Sequence, residues 1–312
     1  MPGACVLVIQ DGVPIFRRAY GMADLERGSA ATTATNYRLA SLSKQFTAAA
    51  ILLLVEAGRV ELDAAASRWL PGLPQAAQPV TLRQLLTHTS GIVDFEDLIP
   101  APRTTQLRDN DVLELLASEN RTYFPPGAGY RYSNSGYVVL AAVAAAAAGM
   151  QYASLLRERI FRPLGMSGTL AFEEGCSTVE NRAYGYSFLA QSWVRTDQDR
   201  TSATLGDGGI YSSIDDLVQW DSALGDDRLL TADSRRLAFT PSTPTDDPRT
   251  HYGFGWRITG ETLWHSGESV GFRNVIVRFP QRRLTIVLLS NRDASEPLGK
   301  VLAIGDFINP PR

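Results

Sequence analysis

Ser41 and Lys44, in Ser41-Leu42-Ser43-Lys44, are the residues whose types and spacing point most directly to chemistry. At a helix start, positions i and i+3 share one face about a turn apart. A serine there aims its hydroxyl at the helix N-terminus, where free backbone N–H groups can hold an oxyanion. A lysine one turn on can take the hydroxyl proton in its neutral form. Alone the pair is weak, because an N-cap serine followed by a surface lysine reads the same way. Two further groups add to it. Tyr132-Ser133-Asn134 offers a phenol that can shuttle a proton and an amide that can hydrogen-bond a substrate. His265-Ser266-Gly267 falls on an expected strand, where a glycine bordering a cleft permits close approach of a substrate backbone.

One competing pattern fails on its own terms. Gly267-Glu268-Ser269-Val270-Gly271 matches the Gly-x-Ser-x-Gly nucleophile elbow, which needs a strand-turn-helix and a histidine later in the chain. The three histidines, His88, His251 and His265, all precede Ser269, and the stretch lies between strands. The histidines are also too scattered to make a zinc site by spacing. His88 reads as a structural member of its loop.

The elements that must position these residues begin with two β-rich runs, 4 to 10 and 13 to 19, separated by the hairpin signal Asp11-Gly12. A helix is expected over 41 to 57, stopped by Gly58. Residues 60 to 205 read as helices and loops, with helices starting near Thr81 and Gly136. A short helix from Ile214 to Leu224 is capped by Ser212 or Ser213. Strands return over Tyr252 to Ile258, Thr262 to His265, Asn274 to Phe279 and Leu284 to Ser290, before a last helix from Leu298 to Phe307. Strands at both ends and helices between them predict an α+β fold, with both chain ends in one antiparallel sheet.

Composition excludes several classes. The net charge of -3 gives no footprint for nucleic acid. No stretch reaches the roughly 18 to 20 apolar residues of a membrane span. Cys5 and Cys176 lie far apart in unrelated contexts and read as free thiols. The chain opens directly on Ala4-Cys5-Val6-Leu7-Val8-Ile9 with no basic region before it. It reads as cytoplasmic as written, and as periplasmic or secreted where a leader has been removed.

The three motifs, in this order and spacing, resemble those of the penicillin-binding protein and class C β-lactamase family: Ser-x-x-Lys, Tyr-x-Asn and Lys-Thr-Gly. The last is often His-x-Gly in the family's esterase and D-peptidase branches. Leu85-Leu86-Thr87-His88-Thr89-Ser90-Gly91 resembles a characteristic loop of that family, and Gly208-Gly209-Ile210-Tyr211-Ser212-Ser213 the segment lining its second lobe. The resemblance runs from about residue 3 to 291. It implies a β-lactamase/transpeptidase-like fold, with a sheet domain of residues 1–62 and 206–312, a mostly helical domain of 63–205 and the active site in the cleft between them. It further implies that Ser41 forms an acyl-enzyme, that Lys44 and Tyr132 share the general-base work, and that Asn134 orients the substrate. The oxyanion hole is then the backbone N–H groups of Ser41 and Glu268, with Gly267 beside it. No cofactor or metal is implied, and the partner is a small ester, amide or peptide substrate.

His265 stands where β-lactamases carry lysine. It is expected to face the cleft, to contact Tyr132 or the substrate, and to supply a cation only when protonated. That favours an esterase or a D-amino-acid peptidase over efficient penicillin hydrolysis; a carboxylesterase is slightly preferred, with a D-amino-acid peptidase or amidase or a weak β-lactamase as alternatives and a slow-acylating penicillin receptor as the alternative of another class. Phe124, Tyr130, Tyr211, Trp264 and Phe272 would suit an apolar acyl group, or equally a core.

Overall fold

Asp11 and Gly12 both take positive φ, 53° and 79°, the geometry whose twist matches the strands of a two-residue hairpin. This turn joins the first two strands of the main sheet, β1 (Ala4–Gln10) and β2 (Val13–Tyr20). The other six come from the C-terminal third: β3 (Thr243–Pro244), β4 (Thr250–Tyr252), β5 (Arg257–Thr259), β6 (Thr262–Ser269), β7 (Phe272–Phe279) and β8 (Leu284–Ser290). The computed structural model describes residues 1–102, 104–293 and 296–308. The strand order is β3-β4-β5-β6-β7-β8-β1-β2, every neighbour antiparallel. β1 and β8 pair from Ala4↔Ser290 to Gln10↔Leu284, so the two ends of the chain meet in one sheet as expected.

Both faces of the sheet are covered at its centre, whereas the edge strand β2 is exposed. Cys5, Leu7 and Ile9 alternate onto the inner face and join the core of α1 (Ser43–Glu56) and the segment Ile214–Ala223. Val8, Val275, Val277 and Ile286 point the other way, toward Val301 on the C-terminal helix Pro297–Ile308. α1 has small residues, Ala48, Ala49 and Ala50, where other elements approach it, and it packs against the equally buried α2 (Asn134–Ala148). α2 is capped by the Ser133 hydroxyl, which accepts from Gly136 N–H, and ends on Gly149 at φ 70°. No single helix among the described residues is long and apolar enough to cross a membrane.

Two local features differ from the sequence reading. The strand expected over Tyr252 to Ile258 is split into β4 and β5. The intervening Gly255 takes φ 76° with its Cα against the Lys44 carbonyl, where a built Cβ would lie 2.8 Å from that oxygen. The chain therefore leaves the sheet to pass over the start of α1. The middle block also contains a hairpin, Tyr186–Leu189 with Ser192–Arg195. Its turn residues Ala190 and Gln191 take positive φ without the glycine or asparagine that would announce them.

Candidate active site

Ser41 is delivered by a short strand, Tyr37–Arg38, that pairs with Ile210–Ser212. Leu39 N–H donates to the Ile210 carbonyl at 2.8 Å. Ala40 then takes φ 51°, a left-handed conformation costly for a residue with a Cβ, and starts a single 3-10 turn that runs into α1. Two partners hold this strained turn. Asn274 on β7 donates to the Arg38 carbonyl at 2.8 Å and accepts from Ser290 N–H at 3.1 Å. Gly267 on β6 lies under the turn, where a built Cβ would sit 2.0 Å from the Leu39 carbonyl oxygen. The glycine of the third motif thus makes room for the nucleophile turn.

Lys44 is fully buried, and its ammonium faces three oxygens. It donates to Ser41 Oγ at 3.1 Å, Asn134 Oδ1 at 2.7 Å and the Asp207 carbonyl at 3.1 Å. The Asn134 amide is oriented by its other end, since Nδ2 donates to Glu96 Oε1 at 2.9 Å. Asn134 Oδ1 and the Asp207 carbonyl can only accept. When the amine is neutral, the one partner able to offer it a hydrogen is the Ser41 hydroxyl. The geometry therefore directs the lone pair of Lys44 at the serine. Asp207 is itself buried, with one carboxylate oxygen unpartnered among the described residues, and burial pushes its pKa up.

The Tyr132 ring lies over Lys44, with Nζ 4.8 Å from its centroid. Its backbone is clamped on both sides by one residue. Arg131 N–H donates to the His88 carbonyl at 3.0 Å, and Ser133 N–H to His88 Nδ1 at 3.1 Å. His88 reaches both from a left-handed φ of 59° and stacks 4.3 Å from the Tyr132 ring. Because Nδ1 accepts, the hydrogen of the neutral ring is on Nε2, which has no hydrogen-bond partner among the described residues. Burial, with Lys44, His265 and Arg257 nearby, holds the His88 pKa well below the ordinary histidine value. The loop role expected of His88 takes a specific form here, positioning the tyrosine.

His265 lies beside the Tyr132 ring, as expected, but it is enclosed. It is 1% exposed, its ring centroid 6.2 Å from that of Tyr132. Nδ1 donates to the Ser266 carbonyl at 2.6 Å, and Nε2 accepts from the Tyr252 hydroxyl at 3.0 Å. Both ring nitrogens are therefore occupied inside the protein. Burial, Arg257 and Lys44 hold its pKa well below the ordinary value, so it stays neutral.

The expected oxyanion donor Glu268 lies on β6, which pairs with β7 through Ser269 but with β5 only over residues 262–264. The other edge of β6 beyond this point faces the Ser41 turn, as a backbone donor for an oxyanion requires. The Glu268 side chain is exposed, 3.7 Å from Arg273. Ser269 ends β6 in a tight hairpin with Phe272, and its hydroxyl makes no hydrogen bond among the described residues. The elbow pattern is a β-turn. Of the five aromatics considered for an acyl pocket, Tyr211 and Phe272 are wholly in the core, whereas Phe124, Tyr130 and Trp264 are partly exposed.

Two charged residues at this site carry no sequence signal. Glu96, in the turn Phe95–Leu98, is exposed and bonded to Asn134. Partial desolvation, then Asp94, holds its pKa above the usual carboxylate range. Arg257 on β5 places its guanidinium carbon 5.4 Å from the Tyr132 ring centroid. A charge count over 312 residues would find neither, because each is isolated in sequence.

A family model described as Beta-lactamase matches residues 1–307. The chain belongs to the β-lactamase family. It is a serine hydrolase of β-lactamase/transpeptidase-like fold. It is 33% identical over 307 residues to penicillin-binding protein 4* of Bacillus subtilis, covering 92% of this chain and 68% of that one. It is 31% identical to a D-aminopeptidase of Cereibacter sphaeroides over 94% of this chain, but spans just 57% of that relative's length. Among solved structures, a penicillin-binding protein from Bacillus halodurans superposes with a TM-score of 0.86 at 27% identity, covering 97% of this chain and 95% of that one. The D-amino acid amidase of Ochrobactrum anthropi SV3 does so with 0.84 at 27%, covering 99% and 95%.

Proposed function

We propose that this serine hydrolase cleaves small amides of D-amino acids that carry a free amino group, through an acyl-Ser41 intermediate. The observation that carries the reading is the Glu96 carboxylate, exposed to solvent and hydrogen-bonded to the same Asn134 that contacts Lys44. An ammonium on the acyl α-carbon would neutralise it and relieve its repulsion with Asp94. The D-aminopeptidase and D-amino acid amidase among the relatives support the D configuration.

In this mechanism Lys44 takes the Ser41 proton as Oγ attacks the carbonyl carbon. The N–H groups of Ser41 and Glu268 stabilise the oxyanion, and Tyr132 passes a proton to the leaving amine. Its hydroxyl makes no hydrogen bond among the described residues, so it is free to do so. Water activated by Tyr132 then cleaves the ester. Asn134 orients the acyl group, and the roles of Gly267 and His265 are to seat the nucleophile turn and Tyr252. The cleft lies between a sheet lobe (1–62 with 206–312) and a helical lobe (63–205).

The test compares D-phenylalaninamide, its L enantiomer and its N-acetyl derivative in wild type and Glu96→Gln. Wild type should prefer the free D-amine, and the variant should lose that preference by about 10-fold, the scale of one charge-assisted hydrogen bond. Ionised Glu96 is needed, so the preference should also fade as pH drops through its raised pKa. A second reading, a carboxylesterase, is favoured by the partly exposed Tyr130 and Trp264 near the site. Faster turnover of p-nitrophenyl butyrate than of any amino acid amide, unaffected by Glu96→Gln, would establish that reading instead.

A further inference from the structure

Asp207 carries a carboxylate that the fold buries without pairing it. The residue is 7% exposed, and its Oδ1 has no hydrogen-bond partner among the described residues. Arg38 is buried more deeply, at 2% exposed, with Nε and Nη1 both unpartnered among the described residues. Neither forms an ion pair there. Other half-buried arginines are handled differently: Arg278 meets Asp221 at 2.8 Å and Arg182 meets Asp197 at 2.6 Å. Polar groups buried without partners lower stability, so their presence calls for a reason outside stability.

Both residues flank the nucleophile. Arg38 stands three residues before Ser41, cross-strand from Tyr211, whose phenol it meets. Asp207 is followed by Gly208, which passes the Ala40 turn with a built Cβ 3.9 Å from the Ala40 Cα. This segment is laced to the start of α1. Thr47 donates to the Gly206 carbonyl at 2.5 Å, Lys44 to the Asp207 carbonyl at 3.1 Å, and Ile210 N–H to Ser43 Oγ at 3.1 Å. Burial raises the Asp207 pKa and outweighs Lys44 and Arg38, the two cations that lower it. Asp109, Glu96 and the Tyr152 phenol are the other titratable groups coupled to it.

We propose that the Asp207 side chain is the counter-charge of Lys44, offsetting the second buried cation that appears when Lys44 receives the Ser41 proton. The inference rests on the reading that Lys44 is the base. As Oγ bonds to the acyl carbon, its proton passes to Lys44, and it departs through Tyr132 on the leaving amine. Between those two events Lys44 and Arg38 are both cationic and both enclosed. An ionised Asp207 leaves this cluster with one net positive charge instead of two. Its side chain touches no reacting atom and acts through Lys44, as a positioning residue.

The experiment measures the rate at which a fluorophosphonate labels Ser41, from about pH 5.5 to 9, in wild type, Asp207→Asn and Asp207→Ala, alongside unfolding in urea. At about pH 8, Asp207→Asn should label roughly 10- to 100-fold more slowly, the scale of one unit charge acting across several ångströms of protein interior. The acid limb of its profile should move to lower pH. Removing a negative charge makes it harder to add a proton nearby, and a carboxylate that had to be ionised is gone. Its urea midpoint should hold or rise, since an unpartnered buried charge has been removed. Asp207→Ala should give the same rate and the same profile. A loss of rate confined to the alanine variant, or a wild-type rate and acid limb in Asp207→Asn, would overturn the proposal, because Asp207 would then serve packing alone. Lys44→Arg separates the two readings. If it labels as fast as wild type, Lys44 is not the base and both readings fall. If it labels slowly while Asp207→Asn follows wild type, the counter-charge alone fails.

Discussion

Lys44 and Arg257 are both cations beside the Tyr132 ring, 4.8 and 5.4 Å from its centroid, yet the fold treats them oppositely. Lys44 is fully buried and each of its hydrogens has a protein acceptor. Arg257 is half-buried and has aromatic faces but no acceptor among the described residues. A buried charge needs its hydrogen bonds supplied by the protein, whereas a charge at the rim can keep water until a ligand replaces it. The closed set suits a group that exchanges a proton with a fixed neighbour, and the open one leaves its donors to solvent. The same division separates Asn134, held at both ends of its amide, from Glu96, whose exposed carboxylate accepts from it.

The predictions test whether the buried groups around Lys44 behave as one machine, distinct from the exposed charges beside them. Ser41→Ala should lower kcat by at least about 1000-fold with unfolding unchanged, since triad-type losses are several orders of magnitude. Lys44→Arg keeps a cation among the same oxygens but removes a group able to be a neutral base, and should cost about 100- to 1000-fold at pH 7. Near-normal activity in that variant would make Lys44 a structural cation only. His88→Leu removes the acceptor for Ser133 N–H and should cost about 1 to 3 kcal/mol in denaturant unfolding. It should also lower kcat more than it raises KM, because it loosens Tyr132. His88→Asn keeps an acceptor and tolerates the left-handed backbone, so it should restore part of both.

The smallest effect is on stability against pH. His88 and His265 are held neutral in the folded chain, their pKa values well below the ordinary one. The unfolded chain therefore binds more protons below about pH 6.5, and the contribution of each is complete above that pH and lost as pH falls, by at most about 1.4 kcal/mol per unit. Asp207 and Asp216, whose pKa values are raised, act in the opposite sense. The readout is thus the difference between wild type and His88→Asn in urea midpoint from pH 7.5 to 5, with the variant expected to lose less. Parallel curves would mean that His88 titrates normally in the fold.

Much of this site was legible in the sequence because its geometry is local. Ser41 and Lys44 are one turn apart, Tyr132 and Asn134 two residues apart, and no distant contact is needed to place either pair together. His265 was legible as a motif residue but not in its surroundings. The Tyr252 hydroxyl that occupies it arrives only because β4 and β5 split around Gly255. Gly267 was noticed as a point of close approach, but the neighbour seen there was not legible, since the Leu39 carbonyl comes from a turn more than two hundred residues earlier in the chain. Glu96 and Arg257 were not legible at all. A single charged residue in a loop or a short strand has no periodicity or spacing to mark it, and only the fold shows which charges are left without partners.

The central claim is that Ser41 is the acylated residue and that Ser269, in the elbow-like pattern, is not. The most direct measurement is peptide mapping by mass spectrometry after reaction with a fluorophosphonate, in wild type, Ser41→Ala and Ser269→Ala. The predicted result is one adduct on the peptide containing Ser41, retained in Ser269→Ala and absent in Ser41→Ala. An adduct on Ser269, or labelling that survives Ser41→Ala, would contradict it.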